Sequence, residues 1–275
     1  LNLSNPRLVA EIHHDYIEAG AQILQTNTFG ANRFKLARHD LEKKVTEINK
    51  AGVELARRVA MASFKDVFVA GDVGPLGVRL APFGRVQPEQ AHQVFKEQIG
   101  ALHSAGIDLL IIETMTDLFE IREAILAARE IDPHLPIIAS MTFTRDDRTL
   151  LGDDPAKVVR KINEAGADLI GVNCSGGPDQ ILRILRVMHQ ALPEVSFSVM
   201  PNAGWPEQIG GRIFYPAAPE YFGEYALAFW QAGAKVIGGC CGTTPLHISS
   251  MRKAIDAAPD DFNLASPVIT MVEVE

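Results

Sequence analysis

Glu164-Ala165-Gly166-Ala167-Asp168-Leu169-Ile170-Gly171-Val172-Asn173-Cys174-Ser175-Gly176-Gly177-Pro178 is the stretch whose reading decides the fold. Glu164-Ala165 closes an amphipathic run, and Gly166 tolerates the left-handed turn that stops a helix. Leu169–Val172 is a short β-rich apolar run, bounded by turn residues. Pro178 suits the first turn of the next helix. The same helix end recurs at Glu18-Ala19-Gly20-Ala21, Ser104-Ala105-Gly106-Ile107 and Gln231-Ala232-Gly233-Ala234. Helix starts recur at Ser4-Asn5-Pro6, Gln87-Pro88, Asp154-Pro155, Ala218-Pro219 and Thr244-Pro245. Between these marks lie the apolar runs Ile23–Asn27, Val67–Asp72, Leu109–Glu113, Ile137–Thr142, Leu169–Val172, Ser196–Met200 and Val236–Gly239.

Strand alternating with helix means a parallel sheet, closed into a barrel or open and doubly wound. Gly-x-Gly-x-x-Gly and Walker Gly-Lys-Ser/Thr signatures are absent, which disfavours the open nucleotide-binding sheet. Strand starts recur about every 35 residues, close to the ~31 of a 250-residue barrel with eight βα units. The expectation is a (β/α)8 TIM-type barrel with its first strand missing. Only seven runs are present, and the chain opens directly into a helix, Pro6–Ala19. A missing strand should leave the mouth partly open between the second and eighth units, exposing unpaired edges. Residues 1–262 read as one barrel domain. Residues 263–275 read as a C-terminal extension or the start of a linker, with Ser266–Glu275 as an outlying strand.

The chain has 275 residues, 47% of them hydrophobic, enough to bury a sizeable core. Its net charge of −8 argues against nucleic acid and anionic membrane surfaces as partners. No apolar run approaches the ~20 residues of a membrane span. Three cysteines, two of them adjacent, make no disulfide framework and point to a reducing, cytoplasmic setting. Leu1-Asn2-Leu3-Ser4 carries neither initiator Met nor a signal peptide, so further residues are expected ahead of it.

Chemistry in parallel α/β folds gathers at the carboxyl ends of strands. Here those ends carry Thr26-Asn27-Thr28, Asp72, Glu113-Thr114, Thr142, Asn173-Cys174, Pro201-Asn202 and Cys240-Cys241. All three cysteines fall on strand tops. A free cysteine is most often a small buried hydrophobe. Against that, Gly171–Gly177 and Gly238–Gly242 are glycine-cushioned loops rather than core strands. They follow units six and eight and flank unit seven, so three thiolates can converge on one point. Sulfur ligands suit zinc, with copper(I) and iron–sulfur as alternatives. Three protein ligands leave a position open, as a catalytic zinc requires. His247, the one histidine near this point, is expected to cap or pack rather than ligate. Gly238–Thr244 could instead grip phosphate at a helix start, but that leaves the cysteines unaccounted for. No strand top carries a lysine for Schiff-base chemistry. Glu113 reads as a general base, a partner for a cation or a solvated carboxylate.

Several of these motifs together resemble the homocysteine S-methyltransferase family. They are Ser4-Asn5-Pro6, Gln25-Thr26-Asn27-Thr28-Phe29-Gly30-Ala31-Asn32, Glu113-Thr114-x-x-Asp117, Gly171-x-Asn173-Cys174, Pro201-Asn202-Ala203-Gly204 and Gly238-Gly239-Cys240-Cys241-Gly242-Thr243-Thr244-Pro245. The likeness spans nearly the whole chain. Within the family stand the homocysteine-binding barrel of cobalamin-dependent methionine synthase, betaine–homocysteine methyltransferases, and bacterial proteins joining this barrel to a methylenetetrahydrofolate reductase. Gly74-Pro75-Leu76-Gly77 to Phe83-Gly84-Arg85 looks most like the last group.

The resemblance implies a zinc ion held by Cys174, Cys240 and Cys241, with homocysteine as substrate and its sulfur as a further ligand. It implies Glu113 for the substrate amino group, Asn173 beside the metal, and Thr26 and Asn202 as pocket positions. The family's opening strand carries Asp-Gly, whose aspartate helps to bind homocysteine; that strand is absent here. The implied methyl donor is methyltetrahydrofolate or methyl-cobalamin presented by another domain or protein. Betaine or S-methylmethionine is the alternative, with Phe29, Phe83, Trp205, Phe214 and Tyr215 available to cradle a cation or simply to pack the loops. A zinc-bearing barrel kept only as a binding module is the remaining reading.

Overall fold

In the computed structural model, which describes residues 1–259 and the strand 269–272, each apolar run forms a strand. The order opens with α1 (Pro6–Glu18), β1 (Ile23–Gln25), α2 (Arg33–Leu36), α3 (Val45–Ala62), β2 (Phe68–Val73), α4 (Pro88–Ser104) and β3 (Leu109–Met115). It continues with α5 (Leu118–Ile131), β4 (Ile137–Met141), α6 (Pro155–Ala165), β5 (Leu169–Cys174), α7 (Pro178–Ala191) and β6 (Ser196–Pro201). A hairpin of β7 (Glu207–Ile209) and β8 (Arg212–Phe214) precedes α8 (Pro219–Gln231), β9 (Ala234–Gly239), α9 (Pro245–Asp256) and β10 (Ile269–Val272).

The punctuation acts as its chemistry requires. Pro6, Pro88, Pro155, Pro178, Pro219 and Pro245 each open a helix, where a missing N–H costs nothing. Gly20, Gly106, Gly166 and Gly233 take φ of 99°, 90°, 97° and 103° just past the helix ends. Each helix then lays its apolar face on the sheet. The core between helices and strands includes Phe95, Phe197, Phe222 and Phe229, all essentially inaccessible.

Parallel pairing runs β1-β2-β3-β4-β5-β6-β9-β10 and back to β1, a closed barrel. Among the described residues no strand precedes α1, in keeping with the count of seven. The open edge expected beside the second and eighth units is nevertheless not found. β10, from the stretch read as an extension, pairs in parallel with both β1 and β9 and fills that place. The reason is the cost of bare edges: two rows of backbone donors and acceptors stay unsatisfied until a strand enters between them. The 262/263 boundary lies outside the described residues. The β7–β8 hairpin lies outside the seven apolar runs, and its turn, Gly210-Gly211 at φ 58° and 78°, is the residue type that a two-residue hairpin turn demands.

Candidate active site

Period-two alternation builds the site. Ile23, Ala70, Ile111, Ile138, Met200, Val236 and Cys240 form an apolar cluster separate from the helix-facing core. Two residues further along their strands come Gln25, Asp72, Glu113 and Ser140, all buried. The barrel interior thus changes from apolar to polar as it nears the mouth, where a substrate could meet it.

The three cysteines come together there. Cys174 Sγ lies 3.8 Å from Cys241 Sγ, and Cys240 Sγ lies 3.9 Å from Cys241 Sγ. All three sulfurs fall within 4.8 Å of one another. Neighbouring side chains of an extended strand diverge, so the adjacent pair needs a turn. Cys240 follows the end of β9 and opens that turn: Thr243 N donates to Cys240 O at 3.0 Å, and Gly242 takes φ 78° at its third position. That is the one position in such a turn where glycine is required. Ala203 N donates to Cys241 O at 2.9 Å, fixing the turn to the neighbouring loop. Cys174 and Ser175 both adopt left-handed φ, 57° and 46°, which turns the chain sharply at the end of β5.

A tetrahedral zinc with sulfurs at about 2.3 Å sets sulfur–sulfur separations near ~3.8 Å. The two measured separations match that figure, so the residues fit the ion. Crowding alone is unfavourable for thiolates. Its contact with Cys174, ahead of burial, pushes the Cys241 thiol above its ordinary value, while contacts from Cys240 and Tyr215 oppose this. A cation is what makes three anionic sulfurs compatible at such spacing.

Glu113 faces the same space. Its Oε2 accepts from Gln25 Nε2 at 3.1 Å and from Asn173 Nδ2 at 3.5 Å. Asn173 Nδ2 is also 4.0 Å from Cys240 Sγ, so one amide touches both the carboxylate and the sulfur cluster. The Asn173 amide is further committed to Thr114: its Oδ1 accepts from Thr114 N and its Nδ2 donates to Thr114 Oγ1, both at 2.8 Å. Thr114 has φ 55°, a strained conformation for a β-branched residue, costing on the order of 1–3 kcal/mol.

The remaining predicted residues divide. Asn202 is buried beside the cluster; its N donates to Gly176 O at 3.0 Å, and its Oδ1 has no hydrogen-bond partner among the described residues. Thr26 is fully buried, but its hydroxyl is engaged by Thr28 Oγ1 at 2.6 Å and by Asp72 N at 3.0 Å. It stitches β1 to β2. His247 caps α9: Nδ1 accepts from Thr244 N at 3.1 Å, and Nε2 donates to Ala217 O at 3.1 Å. Gln25 was missed, although a polar residue between Leu24 and Thr26 on the inward phase of a strand is the signal that finds it. Tyr215, read as one of several loop aromatics, packs on Gly242 and reaches the Cys241 sulfur. Phe29 lies under Lys35 Nζ at 4.3 Å and Trp205 under Arg145 at 4.5 Å, so both rings already have cations from the chain itself.

Fold and site together define a parallel α/β barrel with a cluster of three cysteine sulfurs and a buried carboxylate at its mouth. The chain matches the family described as homocysteine S-methyltransferase over residues 1–255, and it belongs to that family. It is 32% identical over 265 residues to the methionine synthase of Mycobacterium tuberculosis (strain ATCC 25618 / H37Rv), which covers 93% of this chain and 22% of that protein. The Mycobacterium leprae (strain TN) methionine synthase is likewise 32% identical, over 94% of this chain and 22% of that protein. The chain therefore spans about a fifth of the length of these curated relatives. Among solved structures, the homocysteine methyltransferase MmuM of Escherichia coli in its metallated form is 27% identical. It aligns over 92% of this chain and 86% of that one, with a TM-score of 0.75. Its oxidised form gives 0.76 at the same identity and coverage.

Proposed function

We propose that this barrel transfers a methyl group to the thiol of homocysteine, giving methionine, with zinc on Cys174, Cys240 and Cys241. The observation that carries the reading is the spacing of the three sulfurs, 3.8 and 3.9 Å, beside a buried carboxylate in one mouth. Homocysteine offers a thiol and an ammonium a few carbons apart, which suits a sulfur-rich metal centre next to Glu113. The metallated form of the related MmuM supports a metal here. Bound zinc would supply the acidity that keeps a thiol of pKa near ~8.5 ionised at neutral pH. The chain's own residues do the rest. Glu113, steadied by Gln25, takes the substrate ammonium. Asn202, with a free Oδ1 at the mouth, is a wall position open to substrate, whereas Thr26 contributes by holding the strand tops together. Positioning, rather than proton transfer by a side chain, is the barrel's task.

The donor we favour is methyltetrahydrofolate or methyl-cobalamin presented by another domain or protein, because the relatives are methionine synthases several times longer than this chain. Betaine and S-methylmethionine are the small-cation alternatives. Phe29 and Trp205 are already occupied by Lys35 and Arg145, which disfavours a cation cradle built from them. We read 1–262 as the homocysteine unit and 263–275 as an extension lending a strand to the ring, acting in a reducing cytoplasm. No helix among the described residues is long and apolar enough to cross a membrane. The test is methionine formation by the purified zinc-loaded protein with each of the four donors. Product from one or more supports the reading; zinc uptake without homocysteine binding would leave only a metal-binding barrel.

A further inference from the structure

We infer that Asn173 is a positioning residue that clamps Thr114 in a left-handed conformation and thereby aims Glu113 into the mouth; this rests on the homocysteine reading above. The pairing of β3 with β4 is regular up to Ile112 and resumes at Met115, so Glu113 and Thr114 form an irregular step. Such steps near active sites redirect a side chain. A left-handed threonine does not hold itself there. The two 2.8 Å bonds from the Asn173 amide to the Thr114 amide and hydroxyl supply the restraint. They reach across from β5, which is not paired with β3 in the ring. Asn173 is fully buried, and its own carbonyl is held by Thr142 Oγ1 and Ser175 Oγ, each at 3.1 Å. It therefore presents a fixed anchor. The next residue is Cys174, so a single position ties the carboxylate that would take the ammonium to the loop that places a sulfur.

The Asn173 side chain spends its acceptor and one of its two donors on Thr114, while the other donor faces Glu113 Oε2 at 3.5 Å. Losing that side chain should leave the metal in place but let the Glu113–Thr114 step relax towards ordinary extended backbone. Glycine at position 114 adopts positive φ without strain, so it should make the clamp unnecessary. The experiment compares Asn173→Ala, Thr114→Gly and the double variant by zinc content, homocysteine affinity from calorimetry, and exchange of the Thr114 (or Gly) amide. Asn173→Ala should keep zinc and lose about ten- to a hundredfold in affinity, the strain range of a left-handed residue. Thr114→Gly should bind within a few-fold of the parent, and in the Asn173→Ala background it should recover most of the loss. Unchanged affinity in Asn173→Ala, or no recovery in the double variant, would overturn the inference. If Asn173→Ala alone does not fold, the double variant decides, by binding like Thr114→Gly or far more weakly. Amide exchange separates this from the functional reading: a protected Thr114 amide that becomes fast in Asn173→Ala supports the clamp even if no homocysteine binds, and a fast amide in the parent refutes it.

Discussion

Replacing Gly242 by Ala attacks the turn that lets two adjacent cysteines share one point. Two costs can be read from the structure. Gly242 sits at φ 78°, where an L side chain costs about 1–2 kcal/mol. The new Cβ would also meet Tyr215 Cγ at 2.3 Å, far inside contact distance. Tyr215 cannot simply retreat. Two residues on, Ala217 N is bonded to Ala203 O at 2.8 Å, and Ala217 O accepts from His247 Nε2 at 3.1 Å. The turn must therefore open, and Cys241 moves relative to Cys240. Overpacking of this kind adds about 1–3 kcal/mol, for a total on the order of 2–5 kcal/mol. In a domain of this size that is a fall in Tm of roughly 4–20 °C. Zinc affinity, measured by competition with a chelator, should drop at least about tenfold, since the thiolate spacing is lost. Gly210→Ala is the control: it too has positive φ, 58°, but its Cβ would meet nothing within 4 Å. It should show the backbone cost alone and bind zinc normally. Gly242→Ala binding zinc as tightly as the parent would refute the idea that this turn brings the sulfurs together.

Glu113→Gln should retain one zinc while homocysteine affinity falls by roughly ten- to a hundredfold, the worth of a hydrogen bond to a charged partner, as calorimetry would show. His13 is wholly buried, with neither ring nitrogen bonded among the described residues, and burial pushes its pKa from 6.5 down to about 4. The unfolded chain then binds a proton that the folded chain refuses, so stability present above pH 6.5 is lost as pH falls towards 4, by about 3 kcal/mol at most; denaturant melts of His13→Leu should lack that slope. Burial raises the Glu120 carboxyl from 4.5 to about 7, so its contribution is present below pH 4.5 and is lost as pH rises through 7. Glu120→Gln, which keeps an acceptor for Leu76 N, should remove that loss, and unchanged melts at pH 8 would contradict it.

Wherever neighbours in sequence decide the outcome, the chain was readable. Helix ends at Gly20, Gly106, Gly166 and Gly233 and helix starts at proline depend on local backbone chemistry, and all occur where the residues place them. The strand tops followed from that punctuation, and with them the sulfur cluster and Glu113. What was not legible depends on distant partners. Ile269–Val272 has the character of a strand anywhere, and only the unpaired edges of β1 and β9 determine where it goes. The cap that His247 places on Thr244, three residues back, was within reach of the sequence, but the commitment of Thr26 to Asp72 and of His247 to Ala217 involves pairs whose meeting a single sequence does not announce. Strain was equally hidden. Thr114, Cys174 and Ser175 all take positive φ against their own preference, because bonds from other strands and loops over-determine them.

The central claim is that three cysteine sulfurs hold one zinc with a place left for the sulfur of homocysteine. Zinc-edge X-ray absorption on the purified protein, with and without homocysteine, tests it most directly. The account predicts one zinc per chain with three sulfurs at about 2.3 Å, rising to four when homocysteine is added. It also predicts that Cys174→Ala, Cys240→Ala and Cys241→Ala each lose the metal yet stay folded, because the ligands stand on loops above a core that does not need them. A sulfur count that stays at three on addition of homocysteine, or full zinc retained in any one of the variants, would contradict it.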